Sequence, residues 1–150
     1  MDISKLEKYD SEKMFQIYEK WPEIASEAFD SDQNMVNFNG INHIVFAGMG
    51  GSGAIGDAFA SILSKTKIHI SIVKGYVLPN TVDSKSLVIT TSISGNTEET
   101  LSVLSKVLEL KCKSISFSDN GKMKKFCEKN GLNHRNIRMN HSPRASFPTF

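Results

Sequence analysis

The stretch Ile44-Val45-Phe46-Ala47-Gly48-Met49-Gly50-Gly51-Ser52-Gly53 decides the fold. Ile44 to Ala47 form a short unbroken apolar run, the pattern of a strand buried on both faces of a parallel sheet. A glycine-rich turn follows. Beyond it Ile55, Ala58, Phe59, Ile62 and Leu63 recur at three- and four-residue steps, which predicts a helix with that stripe inward. This strand, turn and helix open a βα repeat.

Working outward, the same alternation continues to the end of the chain. His69 to Val73 reads as a second strand, and Gly75 to Ser86, with Pro79 and Asn80, as a loop. Leu87 to Thr91 is a third strand, and Thr97 to Leu110 a helix with Leu101, Leu104, Val107 and Leu108 inward. Cys112 to Phe117 is a fourth strand, Asn120 to Asn130 a helix ending at Gly131, and Asn136 to Met139 a weak fifth strand. Short connections between alternating strands and helices imply parallel strands with helices on both faces. The expectation is α/β: a three-layer, doubly wound, five-stranded parallel sheet in the flavodoxin-like order 2-1-3-4-5. On the amino-terminal side, Asp10 to Asp30 has helical periodicity that Pro22 interrupts. Two short helices are expected, with Pro22 in the first turn of the second and Trp21 as a packing anchor. The predicted organisation is a helical arm, 1–40, and an α/β domain, 41–150.

Composition bounds the class. With 150 residues, 39% hydrophobic and 23% charged, the chain has the size and balance of one soluble globular domain. The net charge of +2, from 18 Lys and Arg against 16 Asp and Glu, argues against a nucleic-acid partner. The basic run Lys122, Lys124, Lys125 and Lys129 is broken by Met123, Phe126 and Cys127 at core-facing spacing, so it reads as a solvated helix face. Cys112 and Cys127 have neither metal-ligand nor disulfide-framework spacing and are expected as buried free thiols; no metal site is predicted. The sequence shows no apolar run of signal-peptide or membrane-span length, which predicts a cytoplasmic protein without membrane partners.

Two loops carry the candidate chemistry. In Gly48 to Gly53, glycines let the backbone approach an anion, the helix amino end favours negative charge, and Ser52 adds a hydroxyl. The same residues satisfy G-x-G-x-x-G through Gly48, Gly50 and Gly53, so a dinucleotide enzyme has to be weighed. That site wants a carboxylate at the end of the second strand, where this chain has Val73-Lys74-Gly75. In the second loop, Ser92-Ile93-Ser94-Gly95-Asn96-Thr97-Glu98-Glu99-Thr100, Ser92, Ser94 and Thr97 bring three hydroxyls to a strand-to-helix turn. In the order 2-1-3-4-5 both loops face the crevice between the carboxyl ends of strands one and three. Ser52, Ser92, Ser94 and Thr97, with backbone amides, can then share one phosphate. The plainer alternative is that Ser94 or Asn96 caps the second helix, Asn96 with Glu99 forming a capping box. His43, His69 and His134 have no partner at a readable spacing, and His141 reads as a solvated loop residue.

Gly48 to Gly53 and Ser92 to Thr100 resemble the paired signatures of the SIS (sugar isomerase) domain. Together with Ser142-Pro143-Arg144-Ala145, Tyr18, Trp21-Pro22 and Tyr76-Val77-Leu78-Pro79, they are similar to the bifunctional phosphoglucose/phosphomannose isomerases. The resemblance implies a cytoplasmic homodimer of carbohydrate metabolism, acting in glycolysis or gluconeogenesis. It would interconvert glucose 6-phosphate or mannose 6-phosphate and fructose 6-phosphate, without metal or organic cofactor. It implies phosphate binding by Ser52, Ser92, Ser94 and Thr97 with the Gly51 backbone. It also implies a catalytic Arg144 beside a cis-enediolate, where a fixed cation favours the transition state. By itself Arg144 reads as a surface ion pair or a turn residue. That family carries two SIS domains in roughly twice this length, so the carboxylate base, a histidine and a lysine are expected outside this chain, which alone is expected to be inactive. A phosphosugar-sensing module regulating a partner is the competing reading. The Ser142 to Ala145 signature favours the isomerase, and Lys74 with the hydroxyl-rich second loop opposes the dinucleotide enzyme.

Overall fold

A computed structural model describes residues 8–31 and 36–150; part of the predicted arm, 1–40, lies outside the described residues. The elements run α1 (Met14–Glu19), α2 (Trp21–Asp30), β1 (His43–Gly48), α3 (Gly50–Leu63), β2 (His69–Val73), β3 (Ser86–Thr91), α4 (Glu98–Leu110), β4 (Lys113–Ser118), α5 (Gly121–Asn130) and β5 (Asn133–Asn136), with a 3₁₀ turn at Phe147–Thr149. All five strands are parallel in the order β2-β1-β3-β4-β5, as expected.

The adjacent strands β1 and β3 supply much of the apolar core. Val45 and Val88 are fully buried and join Val73, Val103 and Val107 in one core cluster. Burying each such side chain contributes about 1.5–3 kcal/mol before entropic costs. Leu78 and Val82, from the connection that reads as a plain loop, are buried in the same cluster. Below the sheet's far end, Leu104, Met123 and Cys127 form a second cluster, and both cysteines are free and buried.

Two expectations need correction. The fifth strand is Asn133–Asn136, not Asn136 to Met139. Gly131 ends α5 in the left-handed conformation (φ 65°), and the Leu132 N–H returns to the Cys127 carbonyl, so the chain enters the sheet at once. This strand is held by backbone pairing with Ile115 to Ser118 at an edge, where apolar side chains are not required. Apolar Ile137 lies just past it, buried, its N–H bonded to the Ser118 carbonyl.

The second correction concerns α3, which fully buries only Ile55 of the predicted stripe. Ser52, Gly53, Ile55 and Gly56 are its buried residues, while Ile62 is 71% exposed and Phe59 40%. A Cβ at Gly56 would stand 2.8 Å from the Phe46 Cβ, so the helix settles closely onto β1 along its small residues. Phe59 keeps one contact, stacking on Phe46 with centroids 5.7 Å apart. Close approach outweighs the apolar stripe in setting the helix's rotation.

Pro22 lies in the first turn of α2, as predicted. Trp21 packs on the far end of the chain: its Nε1–H donates to the Ala145 carbonyl (3.1 Å) and its ring stacks on Phe147.

Candidate functional site

Register puts the two loops side by side. Gly48, the last residue of β1, pairs with Thr91, the last of β3, so both turns leave from neighbouring strand ends. A Cβ at Gly48 would lie 2.9 Å from the Ser52 carbonyl oxygen and 3.1 Å from that of Thr91. Only glycine admits both backbones so near one point. α3 begins at Gly50 behind Met49 in extended conformation, and no side chain caps it. Its first-turn N–H groups therefore lack side-chain acceptors, an arrangement that suits an anion. Ser52 is buried, and its hydroxyl makes no hydrogen bond among the described residues.

The second loop is anchored from outside itself. Ser92 N–H donates to the Phe117 carbonyl (3.0 Å), and the Met123 N–H donates to that of Gly95 (2.9 Å). Gly95 takes φ 67°, and a Cβ there would stand 1.8 Å from the Asn120 carbonyl oxygen, so this backbone contact excludes every other residue. Ser92 is 2% exposed, and its Oγ is 2.8 Å from the Thr97 Oγ1, which joins two of the predicted phosphate ligands directly. Ser94 is exposed, its Oγ accepting the Asn96 N–H at 3.3 Å.

The capping alternative does not hold. Thr97, not Ser94 or Asn96, is the N-cap of α4, and no side chain caps that helix. Asn96 reaches across instead: its Oδ1 accepts the Lys122 N–H (3.1 Å) in the first turn of α5. Glu98 and Glu99 occupy α4's first turn, where carboxylates are favourable against the helix dipole.

Arg144 approaches the first loop. A Cβ on Gly51 would be 3.9 Å from the Arg144 Cγ, so residues far apart in sequence meet at the start of α3. Lys74 is a neighbour that sequence reading used only as an argument against dinucleotides. Its Cε would lie 3.3 Å from a Cβ at Gly53, and its Nζ is 2.6 Å from Asp57 Oδ2 on α3. The signal was there, since Lys74 directly follows β2, but its meeting with Gly53 depends on how α3 lies over the sheet.

The histidines, unpartnered by spacing, acquire partners in the fold. Ser71 Oγ lies 2.9 Å from His43 Nε2 and 3.3 Å from His69 Nε2, and Ser86 Oγ is 3.3 Å from His43 Nδ1. Burial first, and the adjacent His69 second, hold His43 below the ordinary imidazole range. His43 begins β1 and Gly48 ends it, a separation of roughly 16 Å at strand rise, so this cluster is remote from the loops. His134 is 2.8 Å from Ser118 Oγ and is likewise held low by burial, then by Lys124. Among the described residues no three His, Cys, Asp or Glu side chains converge as a metal site would need. A cleft of about 440 Å³ among the described residues lies elsewhere, between Tyr76 to Val82 and α4, and is not lined by the predicted phosphate ligands. No helix of the described residues is long and apolar enough to cross a membrane.

The sequence model of the SIS domain matches residues 38–146, most of the chain and both loops. The chain belongs to the SIS domain family. It is 38% identical over 138 residues to a bifunctional phosphoglucose/phosphomannose isomerase of Caldicellulosiruptor bescii, covering 89% of this chain and 41% of that protein. It is 30% identical over 136 residues to a D-glucosamine-6-phosphate 4-epimerase of Sulfolobus acidocaldarius, covering 90% and 42%. The chain thus spans about two fifths of the length of these curated relatives. Among solved structures, a tagatose-6-phosphate ketose/aldose isomerase from Escherichia coli superposes with a TM-score of 0.56 at 18% identity, covering 91% of this chain and 39% of that one; this similarity concerns the fold.

Proposed function

We propose that this SIS domain binds the phosphate of a sugar 6-phosphate, within an enzyme that interconverts glucose 6-phosphate or mannose 6-phosphate and fructose 6-phosphate. The observation that carries the reading is the pairing of Gly48 with Thr91. It sets two helix amino ends without side-chain caps, and the hydroxyl-bearing turns before them, at adjacent strand ends. A phosphate dianion accepts hydrogen bonds and offers none when fully ionised, so it matches a site of N–H and O–H donors. Ser52, Ser92, Ser94 and Thr97 supply hydroxyls, and Gly51 supplies a backbone N–H without a side chain in the way. The relatives support the phosphate more than the sugar. An isomerase and an epimerase, named for different changes, are both named for phosphosugars.

In the proposed reaction a proton moves between C2 and C1 of the opened sugar through a cis-enediolate, with no net exchange of electrons with an outside acceptor. The approach of the Arg144 Cγ to Gly51 supports a role for Arg144 as the fixed cation that stabilises the developing enediolate charge. The carboxylate that moves the proton comes from residues outside this chain, and the chain by itself binds without efficient turnover. The reading includes the division into an arm, 1–40, and the SIS domain, 41–150, a homodimeric assembly and a cytoplasmic location.

Ligand-induced thermal shift tests it, because a ligand that binds only the folded state raises stability with the logarithm of its concentration. Fructose 6-phosphate or glucose 6-phosphate is expected to raise Tm, with no effect of NAD or NADP at the same concentration. A Ser94→Ala, Thr97→Ala double variant that kept full sugar-phosphate affinity would refute the second loop's role.

A further inference from the structure

The helix α2 and the chain before α1 lie outside the span matched to the SIS domain, residues 38–146, yet they grip its last residues. The Trp21 Nε1–H donates to the Ala145 carbonyl across 124 positions of sequence, and the Trp21 ring stacks on Phe147 at 6.4 Å between centroids. Tyr18 packs edge-on against Trp21 at 4.8 Å. A second tie comes from the chain before α1, where the Glu12 carbonyl accepts the His141 Nε2–H at 3.1 Å. Both ties flank Arg144.

The segment they hold is a compact turn. The Ser146 N–H donates to the Ser142 carbonyl (3.2 Å), the Ala145 N–H to Ser142 Oγ (3.3 Å), and the Asn140 N–H to Ser146 Oγ (2.7 Å). Ala145 and Ser146 are fully buried, whereas the Arg144 side chain between this turn and Gly51 is exposed. An exposed arginine takes its direction from the backbone that carries it. That backbone is rigid within itself, and its tilt over the first loop is set by whatever holds the turn from outside.

We infer that Trp21 is a positioning residue for Arg144: its bond to the Ala145 carbonyl and its stack on Phe147 fix the turn that carries Arg144 beside Gly51. The inference rests on the sugar-phosphate reading above. A cation assists a reacting group only when it is in place before charge develops, so loosening the turn weakens contacts to the sugar's anionic end. Contacts to the phosphate, made by the two loops, stay as they are. Trp21 acting as packing alone predicts something different: loss of stability, with all ligands affected alike.

Two probes separate these cases on the 150-residue chain. Inorganic phosphate reads the loops alone. The 5-phosphate of a five-carbon aldonic acid carries a carboxylate where the enediolate charge would form, and therefore reads Arg144 as well. Trp21→Phe keeps an aromatic ring against Phe147 and Tyr18 and removes the N–H donor. By calorimetry it is expected to weaken the aldonate phosphate about five-fold, on the scale of one hydrogen bond, with inorganic phosphate unchanged within about two-fold. In an Arg144→Gln background the same substitution is expected to have no further effect on the aldonate phosphate, the coupling a double-mutant cycle detects.

Because Trp21 is the single tryptophan of the chain, a second measurement needs no change at that position. Its emission is expected to shift when the aldonate phosphate binds the unmodified protein, and to stay put with inorganic phosphate or in Arg144→Gln. Equal loss of both ligands in Trp21→Phe, or the same loss with and without Arg144, overturns the inference. So does an aldonate phosphate that binds no more tightly than inorganic phosphate. If the unmodified protein binds neither, the phosphate reading itself fails and takes this inference with it.

Discussion

Replacing Gly95 by alanine tests whether the close approach of Gly95 to Asn120 is needed to hold the second loop in place. The new methyl would start 1.8 Å from the Asn120 carbonyl oxygen, and even a tight contact requires 3.0 Å, so the loop and the turn before α5 must part by more than an ångström. That movement carries the Lys122 N–H bond to Asn96, now 3.1 Å, and the Met123 N–H bond to Gly95, now 2.9 Å, beyond hydrogen-bonding range. Two such bonds and the left-handed backbone (φ 67°) together amount to about 3–4 kcal/mol. For a domain of this size the corresponding fall in Tm is roughly 6–16 °C. Gly131→Ala provides the comparison, since Gly131 has φ 65° but open space around it, and should lose only the backbone part, about 1–2 kcal/mol. Thermal denaturation followed by circular dichroism, with and without fructose 6-phosphate, reads both effects. Gly95→Ala is expected to lose stability and the ligand's stabilising shift together, and Gly131→Ala to retain the shift. Equal Tm values for the two variants would refute the account of the loop.

Thr97→Val keeps the shape of the side chain but leaves the Ser92 hydroxyl, 2% exposed, without its 2.8 Å partner. It is expected to destabilise by about 1–3 kcal/mol and to weaken fructose 6-phosphate at least about ten-fold by calorimetry; undiminished affinity would remove Thr97 from the site. For pH, burial holds His43 and His134 below their unfolded value near 6.5. The unfolded chain therefore binds more protons, and stability is full above about pH 6.5 and falls as pH drops through that value toward the folded-state values. Urea denaturation across this window should show the decline, and His43→Gln should reduce it; a slope unchanged by His43→Gln would exclude His43 as a source.

What could be read in advance follows from where each signal resides. Val45, Val88 and their neighbours declare buried strands because a parallel sheet covered on both faces demands apolar residues at consecutive positions. Gly48 to Gly53 and Ser92 to Thr97 declare anion-suited turns because glycine and hydroxyl residues are chosen there for local backbone and donor chemistry. Errors arose where the deciding contact was distant. Asn133–Asn136 is polar, and only pairing with β4 makes it a strand. The outward turn of Ile62 follows from Gly56 meeting Phe46, which helical periodicity cannot express.

The amino-acid order by itself determined most of the succession of strands and helices and the two turns suited to an anion, because each is written in side chains a few residues apart. Only the tertiary structure decided which atoms meet: Gly95 against Asn120, Arg144 beside Gly51, Trp21 on the Ala145 carbonyl. Such meetings depend on sheet register and on the seating of each helix, which are set by packing summed over the whole core, and no local stretch carries that sum.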